Sequence, residues 1–426
     1  MKNSGVEWIG EIPEDWDIYR NKNAFICNKE IVGKNSNSTQ LLSLTTGGIK
    51  CKDINNAEGK LPESFDTYQY VKKNDVVMCL FDLDMSAVFS GISQYDGMIS
   101  PAYKVLSCQD RANPLFIHYW FSYIFDGRKF NHYAKNIRYT LNYSEFAALP
   151  ILLPPKSTQQ RIATYLDKKC SKIEETIQNQ QQVIEKLKAY KQSLITEAVT
   201  GKVKIENGKA CGEYESYKDS GVEWIGKIPS EWEVIKLKFS SQIMRGLFSH
   251  RPRNDPDYYD GVHPFIQTGE VARAVKYITT YSQTLNELGF SVSREFPAGT
   301  VLLTIAANVG DVAILDFNAC FPDSVIGFYP KENVSKIFMF YVLKSMKEQF
   351  MRNAIISTQM NLNINIVKEE FIPLPSLAEQ KEIVKFLEKK SDYIDTAIEQ
   401  KQNLIEKLTE YKKSLIYECV TGKKEI

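Results

Sequence analysis

Two stretches of the chain have nearly the same sequence. The stretch from Pro154 to Lys202 reads PPKSTQQRIATYLDKKCSKIEETIQNQQQVIEKLKAYKQSLITEAVTGK, and the stretch from Pro375 to Lys423 reads PSLAEQKEIVKFLEKKSDYIDTAIEQKQNLIEKLTEYKKSLIYECVTGK. A constant shift of 221 (375 − 154) aligns them without a gap, and about half of the paired positions are identical. The chain therefore contains an internal repeat, and each copy has to be explained by the same local structure.

Each stretch predicts one long helix with an apolar stripe that recurs about every 3.5 residues, which is the coiled-coil pattern. A proline precedes each helix, and Gly201 or Gly422 follows it, where glycine favours a left-handed cap. A helix of this length spans roughly 65 Å. The predicted seam consists of Leu166, Ile173, Ile177, Ile184, Leu187 and Leu194 in the first helix, and of Leu387, Ile394, Ile398, Ile405, Leu408 and Leu415 in the second.

Polar residues interrupt the two stripes at the same places, Gln180 with Lys401 and Lys191 with Lys412. Polar residues in a seam weaken it but set its register and its partner. Because a single amphipathic helix cannot bury its own stripe, two matched helices in one chain predict an antiparallel intramolecular pair. Such a pair would act as a rigid spacer.

A second repeat lies outside the helices. The heptapeptide SGVEWIG occurs at residues 4–10 and again at residues 220–226, each time followed by Ile-Pro and then by Trp16 or Trp232. The shift here is 216 (220 − 4), so the segment between the repeats is slightly longer in the second half. The whole chain is thus a tandem duplication, and we expect the two tryptophans to anchor the core of each globular block.

The repeats divide the chain into five predicted segments: globular domains at 1–153 and 220–374, a central helical spacer at 154–202, a linker at 203–219, and a distal helical spacer at 375–426. Each globular block shows short β-type runs and one aromatic-rich helix. The predicted fold class is α+β, with two pseudo-repeated globular domains joined by two long antiparallel coiled-coil helices.

The composition is that of an ordinary globular protein. The 426 residues are 43% hydrophobic and carry a net charge of +1, so any basic surface has to be local. The eight cysteines form no CxxC pair and only four histidines occur, which argues against a zinc site and for a reduced compartment. Because there is no signal-like N-terminus and no run of 18 apolar residues, we expect a cytoplasmic protein without membrane contact.

Motifs for catalysis are missing from the sequence. It has no GxxxxGK[ST] phosphate loop, no glycine-rich nucleotide loop after a strand, and neither GxSxG nor HExxH. His118, within the aromatic-rich helix, is expected to be a core or rim residue. The sequence therefore favours binding over catalysis.

Basic and amide side chains cluster in the two globular blocks. Arginine and lysine supply phosphate contacts, and arginine, glutamine and asparagine also read base edges. The candidate DNA-binding residues are Thr45, Thr46, Lys50, Lys52, Arg128, Lys129, Lys135, Arg138 and Tyr139 in the first block, and Arg245, His250, Arg251, Arg253, Gln267, Thr268, Arg273, Lys276, Gln359 and Asn361 in the second. Their recurrence in two blocks held apart by a spacer is how a protein would read two separated half-sites on one duplex.

In combination, four features resemble the specificity (S) subunit of type I restriction–modification systems. They are the duplicated layout, the SGVEWIGEIP opening, the P-x-x-x-x-Q motif that begins each helix and the TGK that ends it. Residues 100–103, SPAY, also resemble an element of that family's target-recognition domains, and the second block lacks it. The resemblance covers the whole chain.

The resemblance implies that each block is a target-recognition domain that binds one half of a bipartite double-stranded DNA target. It implies that the helices set the spacer and dock two methyltransferase (M) subunits, and that two restriction (R) subunits join for cleavage. This chain would bind no cofactor itself, because S-adenosylmethionine belongs to the M subunits and ATP with Mg²⁺ to the R subunits. The chain would be a recognition subunit and not an enzyme.

Three other functions stay open at this point: a coiled-coil scaffold that does not bind DNA, an orphan specificity subunit of a methylation-only complex, and a self-contained DNA methylase or nuclease. Salt-dependent DNA binding by the reconstituted complex would argue against the scaffold. S-adenosylmethionine binding by the chain alone would favour a self-contained DNA methylase.

Overall fold

The computed structural model describes residues 1–53, 62–134, 139–356 and 360–426, with the backbone alone at 355, 356 and 360. The chain forms two compact units. The first unit consists of residues 1–181 and 401–426, and the second unit consists of residues 182–400. Each unit therefore contains one globular block and parts of both long helices.

The globular part of the first unit has short strands around one aromatic helix. Its strands are β1 (Lys2–Asn3), β2 (Glu11–Ile12), β3 (Asp17–Arg20), β4 (Phe25–Asn28), β5 (Leu42–Thr45), β6 (Gly48–Cys51), β7 (Gln69–Val71), β8 (Val76–Met78), β9 (Ser90–Ile92), β10 (Gly97–Ile99), β11 (Lys104–Cys108) and β12 (Pro150–Leu153). Its helices are α1 (Pro114–Asp126) and α2 (Tyr143–Ala148), and α3 (Lys156–Val199) is the first long helix. The largest sheet has the order β4-β11-β8-β9, and β5 and β6 form a separate hairpin.

The second unit has a larger set of strands. They are β13 (Lys204–Glu206), β14 (Lys209–Gly212), β15 (Tyr217–Asp219), β16 (Lys227–Pro229), β17 (Glu233–Lys236), β18 (Ser241–Arg245), β19 (Tyr259–Phe265), β20 (Tyr277–Ile278), β21 (Gln283–Leu285), β22 (Glu295–Phe296), β23 (Val301–Thr304), β24 (Val312–Leu315), β25 (Ala319–Cys320), β26 (Val325–Pro330), β27 (Ile355–Ile356), β28 (Met360–Asn361) and β29 (Phe371–Leu374). They include a five-stranded sheet, β18-β26-β23-β24-β20, and a four-stranded sheet, β21-β19-β25-β22.

The helices of the second unit are mostly short. They are α4 (Leu237–Ser240), α5 (Thr268–Arg273), α6 (Glu287–Ser291), α7 (Lys336–Ser345), α8 (Lys347–Asn353) and α9 (Ile364–Glu369), and α10 (Leu377–Val420) is the second long helix. The mixed helix-and-sheet architecture with two 44-residue helices confirms the predicted fold class. In the described part of the chain, no helix combines the length and the apolar character needed to cross a membrane.

The aromatic helix of each unit fills the core. In the first unit, α1 buries Phe116, Trp120 and Phe121 against the sheet and against α3 and α10. In the second unit, α7 buries Phe338 and Val342 in an equivalent cluster. Because the long helices contribute side chains to both clusters, they are part of each core and do not stand apart from it.

The long helices run antiparallel within each unit. In the first unit, the Lys401 ammonium donates to Gln180 Oε1 at 3.1 Å, and Lys412 pairs with Glu174. In the second unit, Lys191 Nζ lies 2.6 Å from Asp395 Oδ2. All twelve predicted seam residues are buried or half-buried, and Leu166, Leu387 and Leu415 are the most deeply buried among them.

The C-terminal end of each long helix packs on the proline that follows a copy of SGVEWIG. Gly422 has φ +72°, and a Cβ there would lie 2.4 Å from Pro13 Cδ. Gly201 has φ +71°, and a Cβ there would lie 2.4 Å from Pro229 Cδ. Trp16 and Trp232 are buried beside these prolines. Glycine is therefore required at each position for two reasons: the backbone is left-handed, and a Cβ would clash with the proline.

The segment predicted as a polar linker has regular structure. Strands β13 and β14 form an antiparallel hairpin, and Ile205 is buried in the core of the second unit. The sequence did not predict this hairpin, because its apolar side chains are few and lie among lysines and glutamates.

Candidate nucleic-acid interface

Three predicted arginines of the second unit converge on one acidic residue. Arg253 Nη2 pairs with Asp323 Oδ1, and Arg251 Nη2 lies 3.5 Å from Asp323 Oδ2. Arg245 donates from Nε to the backbone oxygen of Asp323. The side chains of Arg251 and Arg253 are 52% and 45% exposed. Arg251 and Arg253 therefore present partly exposed guanidinium groups that one carboxylate holds together.

A concave surface of about 320 Å³ adjoins this cluster. Its polar lining comes from Arg253, Asn254, Gln267 and Gln283. The Gln267 side-chain amide donates to Gln283 Oε1 at 2.9 Å, so the two amides hold each other in place. Arginine, asparagine and glutamine are the side chains that read base edges in pairs of hydrogen bonds. The arrangement can therefore contact both phosphates and bases.

Two of these lining residues were missed from the sequence. Asn254 directly follows Arg253, so its position in a basic loop was an available indication. Gln283 lies on β21 and reaches Gln267 across the β19–β21 pairing. No local pattern marks Gln283, because its role depends on strand pairing.

Other predicted residues of the second unit are engaged within the protein. His250 Nε2 lies 2.9 Å from Asp255 Oδ2, and its ring stacks on Tyr258 with centroids 3.8 Å apart. Lys276 pairs with Glu388 at 2.6 Å. His250 and Lys276 thus make internal contacts that hold their side chains.

The remaining predicted residues of the second unit lie on β28 and at α5. Thr268 begins α5, and the exposed Arg273 ends it and pairs with Glu270 at 3.3 Å. Asn361 ends β28 and is exposed. Gln359 lies outside the described residues.

In the first unit, the hairpin β5–β6 presents part of the predicted set. Thr45 Oγ1 donates to the Gly48 oxygen at 2.8 Å and so closes the turn. Thr46 and Lys50 are exposed, and Lys52 is half-buried just after the hairpin. The exposed Lys50 on β6 has the chemistry for a phosphate contact.

The basic stretch after α1 is more closely packed than the sequence suggested. Arg128 has φ +47°, contacts the Leu83 oxygen, and lies 4.5 Å above the Phe125 ring. Lys129 lies 4.5 Å above the Tyr123 ring, and burial lowers the pKa of its ammonium. The aromatic α1 thus holds both cations. Tyr139 is 38% exposed, whereas Lys135 and Arg138 lie outside the described residues.

Comparison with known proteins identifies the class of the second globular block. The family model described as the type I restriction modification DNA specificity domain matches residues 229–408. This range contains the arginine cluster, Asp323 and the concave surface.

Relatives extend the likeness to the whole chain. A protein of Methanocaldococcus jannaschii named for the MjaX type I restriction enzyme specificity subunit is 24% identical over 91% of this chain and 89% of its own length. The MjaIX specificity subunit of the same organism is 31% identical over 41% of this chain and 40% of its own. These similarities extend over most of the chain and agree with the resemblance to type I restriction–modification specificity subunits found in the sequence.

Solved structures confirm the fold. A chain from a structure titled for complex assembly and conformational transition of the type I R-M system superposes with a TM-score of 0.72 at 14% identity, over 96% of this chain and 98% of that one. The HsdS subunit from Thermoanaerobacter tengcongensis superposes with a TM-score of 0.51 at 16% identity over the full length of both chains.

Proposed function

We propose that this chain is the DNA sequence-specificity subunit of a type I restriction–modification complex. The observation that carries the proposal is the specificity-domain match over residues 229–408, which includes the arginine cluster and the amide-lined surface. Each globular block would bind one half of a bipartite target in double-stranded DNA.

In the second block, we assign two roles to two sets of side chains. Arg245, Arg251 and Arg253 would contact phosphates, because guanidinium groups form charge-assisted hydrogen bonds with phosphate oxygens and the side chains of Arg251 and Arg253 are half-exposed. Gln267 and Gln283 would read base edges, since both side-chain amides line the concave surface and their mutual hydrogen bond orients them. The arginines would orient the protein on the DNA, and the two glutamines would supply the sequence preference.

The long helices would set the distance between the two half-sites and dock two M subunits, with two R subunits joining for cleavage. Rigidity supports this role, because the helix pairing in each unit combines an apolar seam with the ion pairs Glu174–Lys412 and Lys191–Asp395. The chain would be non-catalytic and bind no cofactor. S-adenosylmethionine would bind to the M subunits, and ATP with Mg²⁺ to the R subunits.

The test is co-expression with candidate M subunits, followed by mapping of methylated adenines in the host DNA. We expect a split motif with a fixed gap, methylated once on each strand. Methylation at a continuous motif would contradict reading by two blocks. A stable complex that methylates nothing and shows no salt-dependent DNA binding would favour a scaffold.

A further inference from the structure

A cavity of about 470 Å³ lies in the first unit, where the tip of the β5–β6 hairpin, α1 and both long helices meet. Its polar lining includes His118 and Ser122 of α1, Asp167 and Glu174 of α3, and Lys412 of α10. A volume of this size is within the range of small-molecule sites. The proposed DNA-reading role uses none of these side chains.

The second unit contains the same local framework, so the two can be compared position by position. Gln159 Oε1 accepts from the Asn113 backbone amide at 2.8 Å, and Gln380 Oε1 accepts from the Ser335 amide at 2.8 Å. Asn113 and Ser335 are the N-caps of α1 and α7. The two aromatic helices are therefore in register from their first residues, Pro114 and Lys336.

Counting along the aromatic helices shows which side chains differ. The fifth residue is His118 in α1 and Phe340 in α7, and the ninth is Ser122 in α1 and Lys344 in α7. The Lys344 ammonium lies 5.3 Å above the Phe340 ring, and the charges of Lys191 and Asp395 on the long helices act on it. The second unit thus fills this position with a cation of its own.

The acidic residues of the long helices are equivalent in the two units. At the shift of 221, Asp167 corresponds to Glu388 and Glu174 to Asp395. Glu388 pairs with Lys276 from the globular block at 2.6 Å, and Asp395 pairs with Lys191. Both carboxylates of the second unit therefore have cations, and Lys344 adds another nearby.

The first unit keeps the carboxylates, and the cations that line its cavity are Lys412 and Lys413 of α10. Glu174 pairs with Lys412, the counterpart of Lys191. Within the described residues, Asp167 has no ion pair and accepts only a long 3.5 Å hydrogen bond from the Tyr119 hydroxyl. Ser122 occupies the position at which the second unit has the half-buried Lys344. The half-buried His118 imidazole has no hydrogen-bond partner among the described residues.

We propose that this cavity binds a small organic polyamine, whose ammonium groups take the places that Lys276 and Lys344 occupy in the second unit. Asp167 and Glu174 are two helical turns apart, about 10 Å along the axis, which suits a ligand with amino groups at both ends of a chain. The methylene chain would pack on Leu115 and Ile416, and His118 would accept a hydrogen bond from an ammonium group. The proposal does not rest on the proposed DNA reading, although the tip of the β5–β6 hairpin borders the cavity.

The test is isothermal titration of the full chain, freed of nucleic acid, with putrescine, cadaverine and spermidine, and with butanediol as the neutral control. We expect saturable binding of the amines that weakens with added salt and depends on chain length. The variant Ser122→Lys supplies the missing cation and should weaken amine binding about ten-fold or more. Equal binding of butanediol would overturn the proposal.

Asp167→Asn tests the proposal even if Ser122→Lys does not fold, because it removes a charge with little change in shape. It should weaken spermidine binding about ten-fold. The matched control is Glu175→Gln, which removes an exposed carboxylate of the same helix that does not line the cavity and should leave binding unchanged. Binding unaffected by Asp167→Asn, or no saturable binding by the native chain, would contradict the site.

Discussion

One glutamine in each half ties a long helix to its globular block. Gln380 is buried, donates to the Asn333 and Pro375 oxygens at 3.0 Å each, and accepts from the Ser335 amide at 2.8 Å. Gln159 does the same with Arg111, Pro154 and Asn113. The P-x-x-x-x-Q motif is therefore a structural clamp between the start of the long helix and the aromatic helix.

Gln380→Leu should destabilise the chain by about 2–5 kcal/mol, because it leaves several buried backbone groups without partners and each costs about 1–3 kcal/mol. Denaturant unfolding measures the change. Gln178→Leu is the control, since Gln178 is an exposed glutamine of α3 and should alter stability by less than about 0.5 kcal/mol. Equal effects of both substitutions would argue against the clamp.

Lys344 gives the second unit a pH-dependent stability. Burial, with Lys191 nearby, lowers the pKa of Lys344 to about 8. The unfolded chain keeps this proton up to the ordinary lysine range near 10.4, so between those pH values the unfolded state binds more protons. Stability therefore rises with pH across this window and is lowest, as far as Lys344 is concerned, below it.

Lys344→Met should remove this rise. Near neutral pH it should stabilise the fold by about 2–3 kcal/mol, and its advantage over the native chain should shrink as pH increases toward 10. Unfolding curves of both proteins across the pH range measure the difference between their free energies of unfolding. The titration of other groups contributes to both proteins and so cancels in this difference. A constant difference at all pH values would show that Lys344 is not the titrating group.

At the scale of elements, the polar interruptions of the helix seams are contacts between the two helices. Lys191 and Lys412 are equivalent residues of the repeat, and each pairs with an equivalent acid, Asp395 or Glu174. A one-turn slip of either helix would break both the ion pairs and the Gln180–Lys401 hydrogen bond. These polar pairs therefore specify the register, which the apolar seam alone would leave less defined.

Replacing Ile184 and Leu187 by aspartate should weaken the helix pairing and abolish assembly with M subunits. Ile184 is buried and Leu187 is half-buried, and each loses apolar burial worth about 1.5–3 kcal/mol when fully removed from its contacts. Thermal unfolding and size-exclusion chromatography of the co-expressed complex measure both effects. Lys186→Asp, at an exposed position between them, is the control. Unchanged assembly would contradict the role of these two side chains in the helix pairing.

At the scale of the whole molecule, duplication predicts that the two halves of a DNA target can be impaired separately. Arg251→Ala with Arg253→Ala should weaken binding about ten-fold or more and reduce its salt dependence, because phosphate contacts are lost. The substitutions belong on an Asp323→Asn background, so that no unpaired carboxylate repels DNA. Asp323→Asn alone and the exposed Lys218→Ala serve as controls.

Binding should be measured on duplexes in which one half-site at a time is scrambled. We expect the arginine variant to lose its discrimination at one half-site and to keep it at the other. Equal loss at both half-sites would contradict a division of recognition between the two blocks.

Much of the architecture could be predicted because it follows from sequence patterns that repeat over a few residues. The stripe containing Leu166 and Leu387, the closing Gly201 and Gly422, and the repeated tryptophans each reflect a rule that acts over a few residues. Candidate binding residues were harder to predict. The triplet Arg245, Arg251 and Arg253 is close in sequence, but its common partner Asp323 lies some 70 residues away.

The amino-acid sequence by itself determined the duplication, the two long helices, their matched polar interruptions and the resemblance to specificity subunits, because repeats and heptads are properties of sequence order. Only the tertiary structure decided which cations are exposed and which are paired within the protein, that Gln283 joins Gln267, and that a cavity opens beside Ser122. The physical reason is that charge pairing, strand register and void volume depend on which distant side chains meet, and periodicity carries no information about that.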